Sequence, residues 1–197
     1  MRIPYVYTVF IILGAGIILG ALFSIEASNA LIEFLLYILI LSAGLSMGRL
    51  WAEKGFPSGK TAFHGIVLGV GVMAVGGLVG FIIGELVGVD PVLTGFAGLA
   101  SGWYSIAGPI VSLYDPVIGL AAFTANLLRE VLHIAIYPVL AQKGYRCESV
   151  SLGGATTMDT GLPVVIKYGG LDASLLALSQ GAVITGLVPI VATLLFS

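Results

Sequence analysis

The chain has 197 residues, 58% of them hydrophobic and only 9% charged, with a formal net charge of −2. Soluble domains are about 25% charged, so this is the composition of an integral membrane protein. The basic residues are few and scattered, which excludes a nucleic-acid surface, and the single cysteine, Cys147, excludes an internal disulfide or a Cys/His metal cluster.

The uncharged run from Ile3 to Phe23 resembles a secretory signal, with Ala27-Ser28-Asn29-Ala30 behind it. It exceeds the roughly 7–15 apolar residues of a signal core and is long enough to span a bilayer, so it is read as the first membrane helix. Asn29 to Gly48 is the second span, with Glu33 near its start, and the polar stretch Arg49 to Lys60 is a cytoplasmic loop. The third span, about Ala62 to Val87, sets Gly76, Gly80, Gly84 and Gly88 four residues apart. Such a stripe lets a neighbouring backbone approach closely, the neighbour being either another helix of this chain or a second polypeptide.

Pro91 to Tyr114 is uncharged and passes for a span on hydropathy, yet it holds Gly95, Gly98, Gly102, Gly108 and Pro109. If it crossed, the next helix, Pro116 to about Leu140, would deliver Lys143 and Arg146 to the outside, against the positive-inside bias. If it enters and turns back, every basic residue except Arg129 lies on the cytoplasmic side. Ser151 to Gly170 then forms a second re-entrant hairpin from the opposite face, and Ala173 to Phe196 is the last span. Broken backbone survives in lipid only where protein or trapped water satisfies its amides and carbonyls, and inverted hairpins meeting near the midplane are a transporter plan.

The expected fold is therefore all-α and polytopic, with about five transmembrane helices plus two oppositely oriented re-entrant broken-helix hairpins. The whole of 1–197 is a single membrane domain: a three-helix scaffold at 1–90, a hairpin plus helix at 91–140, and an inverted hairpin plus helix at 141–197. The N-terminus is expected in the cytoplasm and the C-terminus outside.

On Pro116 to Leu140 the residues Asn126, Arg129, Glu130, His133 and Tyr137 recur at spacings of three and four, a polar stripe on an apolar helix. Charges in mid-membrane need a reason. Glu130 is either the titratable acid of a cation or proton site or half of an Arg129–Glu130 structural pair. Asp159, flanked by Thr156, Thr157 and Thr160, either binds a cation at the hairpin tip or caps the next short helix. At the other tip, Trp103 and Tyr104, with Ser101 and Ser105, either close over an ammonium group or form part of an interfacial belt. His133 is either a proton carrier or a hydrogen-bonded structural residue. No G-x-S-x-G, HExxH or phosphate loop is present, so no enzyme is expected; a hydrolase using Ser101 or Ser105 with His133 and Asp159 is the enzymatic alternative. No cofactor or metal is expected.

At these same stretches the chain resembles the LysO lysine exporter family. The matching residues are Ala100-Ser101-Gly102-Trp103-Tyr104-Ser105, Pro116-Val117-Ile118-Gly119, Ala121-Ala122-Phe123, Asn126-Leu127 with Arg129-Glu130, Gly154-Ala155-Thr156 with Met158-Asp159, Leu162-Pro163, and Gly169-Gly170-Leu171-Asp172. The resemblance implies export of L-lysine and its analogue thialysine across the cell membrane, with Glu130 and Asp159 matching acidic residues that family members need. Proton antiport is the expected coupling. The alternative is an ion channel or a structural subunit of a larger transporter. Full-length members carry further N-terminal helices, so a homo-oligomer or a small membrane subunit is an expected partner, besides L-lysine, protons and the lipid bilayer.

Overall fold

The computed structural model describes residues 5–23, isolated positions between 34 and 53, and residues 59–196. Among these the chain is helical throughout, with no strand: α1 (Tyr5–Phe23), α2 (Gly59–Val87), α3 (Pro91–Leu99), α4 (Tyr104–Ser112), α5 (Pro116–Gln142), two 3-10 turns at Glu148–Leu152 and Gly154–Met158, and α6 (Leu162–Phe196). Helices α2, α5 and α6 are long and apolar enough to cross a membrane. The second span expected at Asn29 to Gly48 falls largely outside the described residues. Leu78, Leu86, Val117 and Leu194 each stand more than half exposed, a surface suited to lipid rather than water.

Two Asp-Pro pairs start α3, the first leg of the first hairpin, and α5, the helix that follows it. The Asp90 carboxylate accepts the amides of Val92 at 2.8 Å and Leu93 at 3.3 Å, and Asp115 accepts those of Val117 at 2.8 Å and Ile118 at 2.9 Å. In each case proline takes the first helical position, where its missing N–H leaves no intrahelical bond unmade.

The glycine stripe finds its partner within this chain. Gly76, Gly80 and Gly84 of α2 meet Gly98, Thr94 and Pro91 of α3 in turn, so α3 runs antiparallel to α2 with the two backbones in contact. A side chain at Gly84 would come within 2.7 Å of the Pro91 Cα, and one at Gly76 would strike the Gly98 carbonyl. Gly88 lies past the end of α2 at φ 76°, in the left-handed region that ends helices.

Directions follow from such contacts. Gly108 packs on Phe123 and Ser112 on Gly119, so α4 and α5 are antiparallel; Gly65 packs on Leu176 and Ser179, and Gly69 on Gln180 and Val183, so α2 and the long part of α6 are parallel. Phe196 at the end of α6 stacks on Tyr114 at 4.9 Å and meets Phe96 edge-on at 5.1 Å. The start of α3 and the end of α4 therefore share one end of the bundle, and Pro91–Tyr114 turns back as expected, broken at Ala100–Trp103.

The second hairpin comes from the other end. There the Tyr137 hydroxyl donates to the Arg146 carbonyl at 2.8 Å and lies against Gly169. Between them the chain rises through the two 3-10 turns and descends through Leu162–Gly169. Gly170, at φ 78° and ψ −164°, breaks α6 there, and the expected last span is the part beyond it. Two apolar clusters, one around Phe96, Val111 and Ile184 and one around Tyr137, Val165 and Ala177, occupy the two halves of the bundle. Buried Ser101, Asn126, Glu130, His133, Thr156, Thr157 and Gln180 form a polar waist.

Candidate functional site

The hairpin tips meet at this waist. The Ala155 amide donates to the Ser101 carbonyl at 2.8 Å, and Gly102 lies against the Gly153 carbonyl. Ser101 adopts φ 48°, unusual for a residue with a side chain, and Gly102 and Gly154 take φ 98° and 64°. The reversal is compact enough that a Cβ on Gly154 would strike the Ser101 carbonyl.

Each tip is held by one amide side chain. Asn126 on α5 donates to the carbonyls of Ala97 and Ala122, both at 2.9 Å, and accepts the Gly102 amide at 2.6 Å, satisfying the backbone at the first break. Gln180 on α6 donates to the carbonyls of Val150 and Gly154, both at 3.1 Å, at the second. Gln180 was not among the sequence candidates; an amide in the apolar run Ala173 to Phe196 was the signal available.

Arg129 does not pair with Glu130. Its guanidinium donates to the carbonyls of Leu152 at 2.8 Å and Ser151 at 3.0 Å, anchoring the ascending limb of the second hairpin. Glu130 turns inward and is 7% exposed, and one of its carboxylate oxygens has no hydrogen-bond partner among the described residues. The hydroxyls of Tyr104 and Thr160 approach it, and Asp159 lies close enough to act on it through charge. Asp159 accepts the neighbouring Thr160 amide at 2.6 Å and its hydroxyl at 3.3 Å; the amide of Leu162, where the helix begins, bonds the main-chain carbonyl of Asp159 instead. The carboxylate thus does not cap that helix in the manner weighed from sequence.

Of the remaining candidates, Tyr104 is half-buried, edge-on to Phe123 at 5.4 Å, and Trp103 packs on the cluster around Phe96, away from either rim of the bundle. Thr156 donates to the Gly153 carbonyl at 3.1 Å, and Thr157 to those of Gly154 at 2.7 Å and Ala177 at 3.1 Å, so both hydroxyls brace the loop. The Ser101 hydroxyl donates to the Gly98 carbonyl at 3.2 Å. Ser105 is exposed on the outer face of α4, apart from the rest. A cavity of about 380 Å³ between α2, α3 and α5 reaches Asn126 and Arg129 but is lined by neither acid. Cys147, near the base of the second hairpin, has its thiol pKa raised, by burial first and then by Glu148 and Asp172, which leaves it a poor thiolate.

Two broken hairpins thus enter from opposite ends and meet beside a buried Glu130 and a partly buried Asp159. The sequence matches the family described as "Lysine exporter LysO" over residues 10–196. The chain belongs to the LysO lysine exporter family. It is 32% identical to the lysine exporter LysO of Escherichia coli (strain K12) over 91% of its own length and 60% of that protein's. It is 31% identical to the "Putative lysine exporter" of Haemophilus influenzae over 68% of each chain. The chain thus spans about 60% of the length of the Escherichia coli relative. No solved structure matches it.

Proposed function

We propose that this chain forms the substrate-handling part of a cell-membrane exporter of L-lysine that exchanges the amino acid for protons. The reading rests foremost on Glu130, a buried carboxylate with an unpartnered oxygen, set beside Asp159 where two inverted hairpins touch. Lysine carries two ammonium groups and one carboxylate. Two acids match the cationic groups, or a proton on one of them substitutes for the cargo when the carrier resets. The start of α4 opens at the waist, where a helix dipole favours a carboxylate. Analogues that keep both amines, such as thialysine, fit the same requirements. Lys143, Arg146 and Lys167 gather toward the end opposite Phe196, which supports a cytoplasmic base for the second hairpin and an outside C-terminus.

The test is lysine flux in proteoliposomes. Saturable efflux, accelerated when the receiving side is acidic, is expected from the intact protein. Asp159→Asn and Glu130→Gln should each lower it by about 30-fold or more, the scale of losing one partner of a desolvated charge contact, about 2–5 kcal/mol, while remaining monodisperse in detergent. A conductance that does not saturate with lysine would identify a channel instead, and an inactive protein that gains flux only with an added membrane subunit would identify a structural component.

A further inference from the structure

His133 is fully buried on α5, one turn beyond Glu130, and neither ring nitrogen has a hydrogen-bond partner among the described residues. A neutral imidazole has one donor and one acceptor, and leaving both unmade inside a protein is costly. A tolerated cost of that kind calls for an explanation. The ring is wedged into the second hairpin: a Cβ on Gly153 would lie 2.6 Å from its Nδ1, and one on Gly161 would lie 2.8 Å from its Cε1. The loop carrying Asp159 is therefore closed around this imidazole, with glycine at both points of contact.

Below the waist, the half of the bundle leading to Arg146 is filled by Val150, Leu162, Val164, Val165, Ala173 and Leu176. Along the buried face of α5, Glu130, His133 and Tyr137 follow one another toward that end; the last two rings lie 5.3 Å apart, and the Tyr137 hydroxyl reaches the Arg146 carbonyl. On its own helix Arg129 bears on His133 through charge, Tyr137 meets its ring edge-on and Glu130 lies one turn back on the same buried face; Asp159, on the loop around the ring, acts on Glu130, and α6 behind that loop presents neutral Gln180. Among the described residues, one imidazole stands between the acid pair and the inner end.

We infer that His133 is the proton outlet of the transport site, a reading that rests on the lysine–proton exchange proposed above. A proton leaves the Glu130 carboxyl and binds one ring nitrogen, and the proton on the other nitrogen passes to water admitted from the Arg146 end. One proton crosses and the ring is neutral again, in its other tautomer. Because neither nitrogen is tied, no hydrogen bond to the protein has to break for the tautomers to interchange.

Two assays on the same proteoliposomes separate this role from a structural one. Exchange of external for internal lysine at equal pH moves no net proton, whereas efflux driven by a pH gradient does. His133→Gln and His133→Asn should keep equal-pH exchange within about 2-fold of the parent, lower gradient-driven efflux roughly 10-fold or more, on the scale of a lost proton-transfer group, and flatten its pH dependence. Unchanged gradient-driven efflux and pH profile in a monodisperse variant would overturn the outlet, as would equal loss of both activities in both variants, which marks a packing wedge. A parent protein that performs neither assay would remove the lysine–proton reading and the outlet with it, so the two failures are told apart by the parent alone.

Discussion

The two hairpins do the same topological job with different materials. The first has two regular α-helical legs, α3 and α4, each capped or packed along its length, and one leg is fused to α2 by backbone contact at Gly76, Gly80 and Gly84. The second climbs through 3-10 turns, whose hydrogen bonds have poorer geometry than those of an α-helix, and is held by side chains reaching in from outside, Arg129 and Gln180. Glu130, on α5, and Asp159 both belong to this second, looser half of the waist. In the export cycle proposed above, the first hairpin is the fixed wall and the second the part that rearranges. Glu130 is buried and Asp159 only partly so, and the tip with fewer main-chain constraints is the one expected to move.

That contrast can be broken at the wall first. Gly98→Val drives a side chain into the Gly76 backbone, which has no rotamer with which to yield; a loss of at least ~3 kcal/mol, the top of the overpacking range, is expected, read as failure to accumulate folded protein or a large fall in detergent Tm. A Gly98→Val protein with the parent's Tm would mean α2 and α3 are not fused. Next is the amide at each tip. Asn126→Ala strands the Gly102 amide and should cost about 1–3 kcal/mol of stability. Gln180→Leu should cost less, about 0.6–1.7 kcal/mol, the range for membrane-embedded hydrogen bonds, while speeding hydrogen exchange at Val150 to Thr157. Equal stability losses with no change in exchange would erase the distinction between wall and moving part. Smallest is Ser105→Ala on the exposed face of α4, expected to stay within about 0.5 kcal/mol of the parent, as surface substitutions do, with lysine flux unchanged. A strong loss of flux there would extend the site to the outside of the first hairpin.

Much of this architecture was legible before any coordinates. Glycine and proline interrupt Pro91–Tyr114 where a span should be regular, and the positions of Lys143 and Arg146 decide that it turns back. Of the stripe Asn126, Arg129, Glu130, His133 and Tyr137, all but the partly exposed Arg129 lie on one buried face of α5. Spacing along one helix says nothing about what stands opposite, however. Arg129 and Glu130 are neighbours in sequence and point to different partners because adjacent helical residues diverge by about 100°. The Ser101–Ala155 bond joins main-chain atoms and so has no side-chain signature. Gln180 went unnoticed because a lone amide in an apolar helix has no periodicity. The Gly76–Gly84 stripe announced a close neighbour without naming it; Gly95 and Gly98 on α3, three residues apart, were the matching surface.

The closure at the waist is made through a carbonyl and an amide, groups that every residue other than proline supplies. On the export reading proposed above, substitutions around Asp159 would change which amine or guanidine is accepted while leaving the Ser101–Ala155 main-chain bond in place. On that reading, cargo preference and closure of the waist are separable traits.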